Sequence, residues 1–529
     1  MFVTPNLGLE RGKLQRFACL VAQSGNAASF GCACAACQEA WKPLAAAGPD
    51  TAPASAPGDV PNDVSTSFSV TLGTPLYGAL EEKADHDWYA VDLVAGTRYL
   101  ITLDGALFEG YDALEDPYIY LRDASGNLID QDDDDGPGRY SLLNWTATGT
   151  GRYYLDAGAW NEDYVGGYRL AISVYDPQIY SLNQIAEFLT TGYWGNGGHR
   201  WDTSSDNVIT YNVTQLTSQG QFLARTAFQT WANVTNLVFQ EVESGGDIPF
   251  DDNQSGAFAG GTWDAGLITS MRVNVSTGWL ASYGTTLDSY SFQTYVHEIG
   301  HALGLGHGGP YNGSATYGQD NLYLNDVWSY TVMSYFDQAD ASFGSYRYVM
   351  GPSVADILAV QNLYGANTSF NAENTVYGRN ATAGSLYDFA SYTTVPAFGI
   401  YDTGGTDTLD ASGYGVGQII NLNAEAFSSI GGLTNNIAIA RNVIIEGAIG
   451  GDGGDSIIGN ASNNMLMGNA GADTLIGGTG SDSLYGGAGN DMLIADGLGV
   501  MIDGGEGDDV ILLGGAQLAD ILALFAVTI

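Results

Sequence analysis

Three kinds of pattern in one chain predict a multidomain protein: an all-β sandwich, then an α+β domain, then a tail of short repeated strands. Short alternating runs between Gly/Asp turns fill residues 63–177, helical and strand patterns mix over 178–367, and a nine-residue period sets in over 368–529. Residues 1–62 hold no sustained period and read as a leader or propeptide with a linker. The length of 529 residues suits about three domains rather than one core.

In the first segment the alternating runs are residues 67–72, 88–93, 99–103 and 168–174, which is the signature of an antiparallel sandwich. In the second, a helix is expected around Gln221 to Trp231, a strand over 237–242, and another helix under a group of histidines.

Composition narrows the partners. With 16 Lys+Arg against 59 Asp+Glu, the chain repels phosphate backbones and anionic lipid heads, so no nucleic acid is expected. Carboxylates set among 73 glycines suit hard cations held by oxygen ligands on tight turns, and calcium is the natural candidate. Cys19, Cys32, Cys34 and Cys37 all lie in the first forty residues, so no disulfide staples the rest, and bound metal is expected to take that role. Nothing approaches the ~20 apolar residues of a membrane span, and the run at 17–22 is short for the core of a cleaved signal.

The most specific signal is His297-Glu298-Ile299-Gly300-His301-Ala302-Leu303-Gly304-Leu305-Gly306-His307. On a helix, His297 and His301 share a face and can aim two imidazoles at one ion, with Glu298 beside it. Gly304 permits a sharp turn that returns His307 as a third ligand and leaves a fourth position for water. With only five histidines in the chain, this spacing arises by chance on the order of 10⁻⁶ per window. The reading is one catalytic Zn2+ held by His297, His301 and His307, with Glu298 as general base rather than ligand. A site that binds zinc without catalysing is the alternative.

Downstream, residues 329–335 contain Met333 and Tyr335, and with the motif they resemble the serralysins, bacterial metzincin peptidases with calcium-binding tails. The similarity extends through 185–194, 227–231, 356–361 and 364–367. The resemblance implies a metzincin catalytic domain, with Met333 structural beneath the zinc. It gives Tyr335 two roles, a zinc ligand at rest and a catalytic partner of the oxyanion. It also makes 256–260 the cleft's edge strand, where an extended protein or peptide substrate pairs. The first segment, through Gly78, Asp85, Asp87, Tyr89, Asp116 and the acidic run 132–135, resembles bacterial pre-peptidase C-terminal domains; its acidic loop is either a calcium site or a solvated turn.

Nine-residue units begin at Gly450, Gly459, Gly468, Gly477, Gly486 and, past a degenerate unit at Ala495, at Gly504. Their eighth positions, Ile457, Leu466, Leu475, Leu484, Leu493, Ile502 and Ile511, are all apolar and expected to point inward, which a flexible linker would not require. The units resemble the RTX parallel β-roll, Gly-Gly-x-Gly-x-Asp-x-apolar-x.

The resemblance implies several structural Ca2+ ions. A first loop supplies Asp402, Gly404, Gly405 and Asp407, and Glu446 joins the implied ligands as a sixth position of the roll. Along the roll the implied ligands are Gly451, Gly453 and Asp455; Gly468, Asn469, Ala470, Gly471 and Asp473; Gly477, Thr479 and Asp482; Gly486, Gly487, Ala488, Gly489 and Asp491; and Gly504, Glu506 and Asp509. Two units make one coil in such a roll, so Asp455, Asp473, Asp491 and Asp509 fall on one edge and Glu446, Asn464, Asp482 and Val500 on the other. Tighter calcium is expected on the first edge.

Residues 520–529 resemble the acidic-then-apolar ending read by type I secretion machinery, which implies a secreted, extracellular monomer that folds on meeting calcium. The cysteine cluster could latch a zymogen's zinc, clip another metal, form local disulfides, or belong to a disposable leader. The sequence thus reads as a secreted zinc metalloendopeptidase; the rival is a calcium-dependent adhesin or surface-layer module with a vestigial zinc site.

Overall fold

The computed structural model describes residues 60–108, 110–133, 140–175, 177–195, 198–495 and 500–513. The cysteines, Asp134 and Asp135 of the acidic run and the chain's last sixteen residues therefore lie outside the described residues.

Two antiparallel four-stranded sheets come first. One runs β1 (Leu76–Leu80), β8 (Gly166–Val174), β3 (Arg98–Gly105), β6 (Ser141–Thr146); the other runs β2 (Asp87–Leu93), β7 (Gly151–Ala159), β4 (Pro117–Arg122), β5 (Leu128–Asp132). The period-2 apolar positions meet between them, with Ile101, Leu103, Ile119, Leu121, Leu155 and Leu170 wholly buried. The strand expected at 67–72 does not form. The Val70 and Ala90 N–H groups bond to the Ala90 and Phe68 carbonyls, and the chain then turns at Gly73, where φ is +77°, to enter the opposite sheet as β1. Alternation was present there, but the crossover left no length for a ladder.

The next region mixes helix and strand as expected. Its sheet has the order β10 (Val238–Glu241), β9 (Val208–Asn212), β11 (Ile248–Asp251), β13 (Leu267–Val275), β12 (Ala257–Asp264), with every pairing parallel except that of the edge strand β12. Helices α1 (Leu182–Glu187), α2 (Ser218–Val234), α3 (Thr277–Tyr283), α4 (Tyr290–Ala302) and α5 (Val354–Tyr364) accompany it. Ser289 caps α4 through its hydroxyl, which accepts from Phe292 N–H at 3.3 Å. The same helix buries Phe292, Tyr295, Val296 and Ile299 completely, and the Trp231 indole of α2 donates to the Val296 carbonyl at 3.1 Å. The helix that carries the histidines is thus clamped on its apolar face.

The tail is two stacks of short parallel strands. One includes Gly447–Ile449, Met465–Ala470, Ser483–Ala488 and Met501–Glu506; the other includes Ser456–Ile458, Thr474–Ile476, Met492–Ala495 and Val510–Leu513. Leu466 pairs with Leu484 and Leu475 with Leu493, so alternate nine-residue units do stack, eighteen residues apart. Ile457, Leu466, Leu475, Leu484 and Leu493 are wholly buried. The expectation of inward apolar residues throughout fails at Ile511, which is 48% exposed on the last described strand of its stack; among the described residues it has a neighbouring strand on one side alone. One continuous apolar core joins the helical region to this tail.

Candidate metal centre and catalytic site

His297, His301 and His307 are brought together with their ligand atoms within 4.8 Å of one another. What fixes them is hydrogen bonding on the far side of each ring. His297 Nδ1 donates to the Val332 carbonyl at 2.9 Å, His301 Nδ1 donates to the Leu305 carbonyl at 2.8 Å, and His307 Nδ1 lies 3.1 Å from the Tyr193 hydroxyl. With each Nδ1 engaged outward, the Nε2 lone pairs remain for a common centre, and His301 Nε2 and His307 Nε2 sit 3.0 Å apart. Burial pushes His297 down to about 4 and His301 to about 3, so the rings are neutral and free to ligate. A tetrahedral ion that takes nitrogen ligands fits this donor set.

The turn between the ligands is forced. Gly304 has φ +96°, and a Cβ there would stand 2.1 Å from the His199 carbonyl oxygen. The carbonyls that α4 leaves open at its end are taken up by side chains: the Trp201 indole donates to Ala302 O, the Tyr364 hydroxyl to Leu303 O, and the Trp194 indole to Gly304 O, at 2.7 to 2.9 Å.

Met333 is wholly buried and lies under the helix. A Cβ on Gly300 would come within 2.5 Å of its sulfur, so that glycine is what lets the thioether reach the floor between the two helical histidines. The turn bearing Met333 hangs from α5, whose Asp356 accepts from Thr331 Oγ1 at 2.6 Å and from the N–H groups of Val332 and Ser353 at 2.7 and 2.8 Å. Asp356 therefore sets the carbonyl that orients His297.

Glu298 is buried, and one of its carboxylate oxygens has no hydrogen-bond partner. Burial pushes it up to about 8, against the pull of the Ala259 N–H on β12; a cation beside it would lower it again. The Tyr335 ring lies 4.5 Å from that of His307, and its hydroxyl accepts from Gly313 N–H at 3.2 Å, so its proton remains available to donate. Behind it, wholly buried Asp326 accepts from the Tyr311 hydroxyl at 3.1 Å, and that hydroxyl accepts from Tyr335 N–H at 3.2 Å. Sequence reasoning did not single out Tyr193, Asp326 or Asp356 for these tasks; each acts through contacts that only the fold brings about.

The tail places its candidate ligands in two columns. On one edge Asp455, Asp473 and Asp491 N–H groups donate in turn to the carboxylates of Asp473, Asp491 and Asp509 at 2.7 to 3.0 Å; on the other, Asn464 N–H donates to Asp482 at 2.9 Å. The second oxygens of Asp473, Asp482 and Asp491 are buried without a partner, as is one of Asp407. Asp407 also receives Thr375 N–H at 2.8 Å and sends its own N–H to Glu446 at 2.8 Å, while Asp402 holds the Tyr377 hydroxyl at 2.7 Å.

The glycines that open each unit lie beneath the carboxylates: a Cβ on Gly468 would meet Asp473 Oδ2 at 2.2 Å, and one on Gly486 would meet Asp491 Oδ2 at 2.3 Å. Of the flanking predicted positions, Gly451, Gly453, Gly471, Thr479 and Gly489 lie between strands, whereas Asn469, Ala470, Gly487, Ala488 and Glu506 close the strands before them; the carbonyls of Asn469, Gly471, Gly487 and Gly489 pack against the glycines of the next unit on the stack. Orphaned carboxylate oxygens among carbonyls fit a hard cation such as calcium.

A family model for the peptidase M10 serralysin C-terminal region matches residues 366–517. A metalloprotease AprA of Pseudomonas entomophila is 36% identical over 332 residues, covering 54% of this chain and 65% of that one. The serralysin of Photorhabdus laumondii is 40% identical over 258 residues, covering 46% of this chain and 53% of its own. The chain is thus similar to curated serralysins, and its residues 366–517 match the serralysin C-terminal region. It spans between about half and two thirds of the length of these curated serralysin relatives. A solved pre-peptidase C-terminal domain of a Bacillus anthracis collagenase is 18% identical and covers 20% of this chain and 92% of that one; its TM-score of 0.16 assigns no family to the sandwich. Among the described residues, no helix is long and apolar enough to cross a membrane.

Proposed function

We propose that this serralysin-like chain is a secreted zinc metalloendopeptidase that hydrolyses peptide bonds of proteins, folded and stabilised by calcium. The observation that carries the reading is the set of three imidazoles, each tied outward at Nδ1, beside a buried carboxylate under an edge strand. His297, His301 and His307 would hold zinc, which supplies Lewis acidity toward a water and a peptide carbonyl.

The chain's own groups do the rest. An extended substrate pairs with the open side of β12, whose Ala259 N–H is aimed at Glu298. Glu298 takes the proton of the attacking water and passes it to the leaving amine. Tyr335, anchored through Gly313, donates its hydroxyl proton to the oxyanion as the carbonyl carbon becomes tetrahedral. Met333 supports the floor. In the tail, the column headed by Asp455, Asp473, Asp491 and Asp509 would hold calcium more tightly than the column broken by Asn464 and Val500. The sandwich over 63–177 is an accessory domain, and residues 520–529 carry the export signal.

Casein cleavage tests the reading. A zinc chelator should abolish it, and Glu298→Ala should lower kcat by about 10²- to 10⁴-fold with an unchanged thermal melt. Cleavage by Glu298→Ala at the parent rate would remove Glu298 as the base, and a parent chain that leaves casein intact would leave the adhesin reading standing.

A further inference from the structure

β12 is an edge strand, and its residue Ala259 lies opposite the catalytic carboxylate. Four residues further along, the strand carries Trp263, whose side chain is neither in the core nor left loose. It is 49% exposed, and its ring lies flat on the imidazole of His199, with centroids 4.0 Å apart and planes 9° apart. His199 is buried, and Trp194 meets it at 4.0 Å with its plane tilted by 53° while also touching the Trp263 ring edge-on at 5.9 Å. Trp194 in turn donates to the carbonyl of Gly304, and the His199 carbonyl occupies the space that a Gly304 side chain would need. The stack is thereby fastened to the turn between the second and third zinc-ligand positions.

A register shift falls between Thr262 and Trp263, and such bulges re-aim a side chain. No part of the hydrolysis uses these rings. Burial holds His199 down at about 4, so the stack is uncharged at neutral pH and offers an apolar surface.

Strands advance by about 3.3 Å per residue, so Trp263 stands about 13 Å along the cleft from Ala259. A peptide paired with β12 advances at the same rate. We infer that Trp263, braced by His199 and Trp194, is a specificity-determining subsite for an apolar, above all aromatic, side chain about four residues from the scissile bond of an extended peptide. The inference rests on the peptidase reading, because it needs a substrate strand on β12.

Decapeptides carrying Phe or Gly at each of the third to fifth positions on either side of one cleavable bond provide the test. Binding to the full-length Glu298→Gln chain is measured by anisotropy, and kcat/KM with the parent chain. At one position Phe should bind about tenfold more tightly than Gly, and the preference should vanish in Trp263→Thr and persist in Trp263→Phe. A parent chain with no such preference, or a preference that survives Trp263→Thr, overturns the inference. Because binding is read in a chain that cannot cleave, failure of the hydrolytic reading shows separately, as cleavage by Glu298→Gln at the parent rate. Trp263→Phe, which keeps the ring, guards against reading a misfolded variant as a lost subsite.

Discussion

At the imidazole site each ligand side chain has a protein partner on its outer nitrogen, and an apolar helix face holds the whole group in place. Along the roll the carboxylates are just as buried, but Asp407, Asp473, Asp482 and Asp491 each keep an oxygen with nothing to bond. The first site is complete as a structure and lacks only its chemistry. The second is incomplete as a structure. Both hold metal-ligand side chains, so the difference lies in what balances burial: neutral rings can be desolvated cheaply, whereas charged carboxylates cannot.

Removing calcium breaks this comparison open with the largest effect. A buried charge left without a partner costs about 3–5 kcal/mol, so even three such carboxylates reach the 5–15 kcal/mol that holds a typical domain together. A calcium chelator should therefore remove most of the parallel-strand signal in far-UV circular dichroism. A zinc-selective chelator should leave that signal intact while abolishing activity. If zinc removal unfolded the chain as far as calcium removal does, the imidazole site would not be self-supporting.

Tyr193→Phe sharpens the other half. The hydroxyl orients the His307 ring through Nδ1, and losing such a partner typically weakens metal binding or activity by about 10- to 100-fold. Zinc affinity measured by competition should fall toward the lower end of that range, because two of the three rings keep their backbone acceptors. The calcium-dependent melt of the roll should not move. An unchanged zinc affinity would show that packing alone orients His307.

These two regions also differ in how much could be read from the chain. The three histidines proposed to hold zinc sit within eleven consecutive residues, so helix geometry was enough to group them, and the nine-residue period announced the stacked units in the same way. Tyr193 stands 114 residues before His307, and Asp356 is 24 residues beyond the Val332 N–H it receives; only the tertiary fold brings them there. Residues 67–72 had the alternation of a strand but were spent on crossing between sheets. Ile511 kept the period of an inward residue on the last described strand of its stack, where a neighbour on one side alone leaves it half exposed. Local patterns thus gave the histidine cluster and the repeats, and missed whatever depended on a neighbour from elsewhere in the chain.

Acid offers the smallest and most discriminating test, run without metals. Burial, with the charges of Asp455 and Asp491, pushes Asp473 up to about 7 from an unfolded value near 3.8, and Asp455, Asp482 and Asp491 are also raised. A group that binds its proton more tightly when folded favours folding below the unfolded value and loses that contribution as pH rises through the folded one. The metal-free roll should therefore gain stability as pH falls from 8 toward 4, with protons standing in for calcium. Around the imidazole site the shifts oppose one another: His199, His297, His301 and His307 are pushed down, which favours folding at higher pH, while Glu298, Asp326 and Asp356 are pushed up, which favours it at lower pH. The denaturant midpoint of that region should stay nearly level over the same range. Read by tryptophan fluorescence, which the helical region dominates, and by circular dichroism of the roll, the two curves should diverge on acidification. Parallel curves would mean that the continuous core couples the regions more strongly than their separate charges divide them.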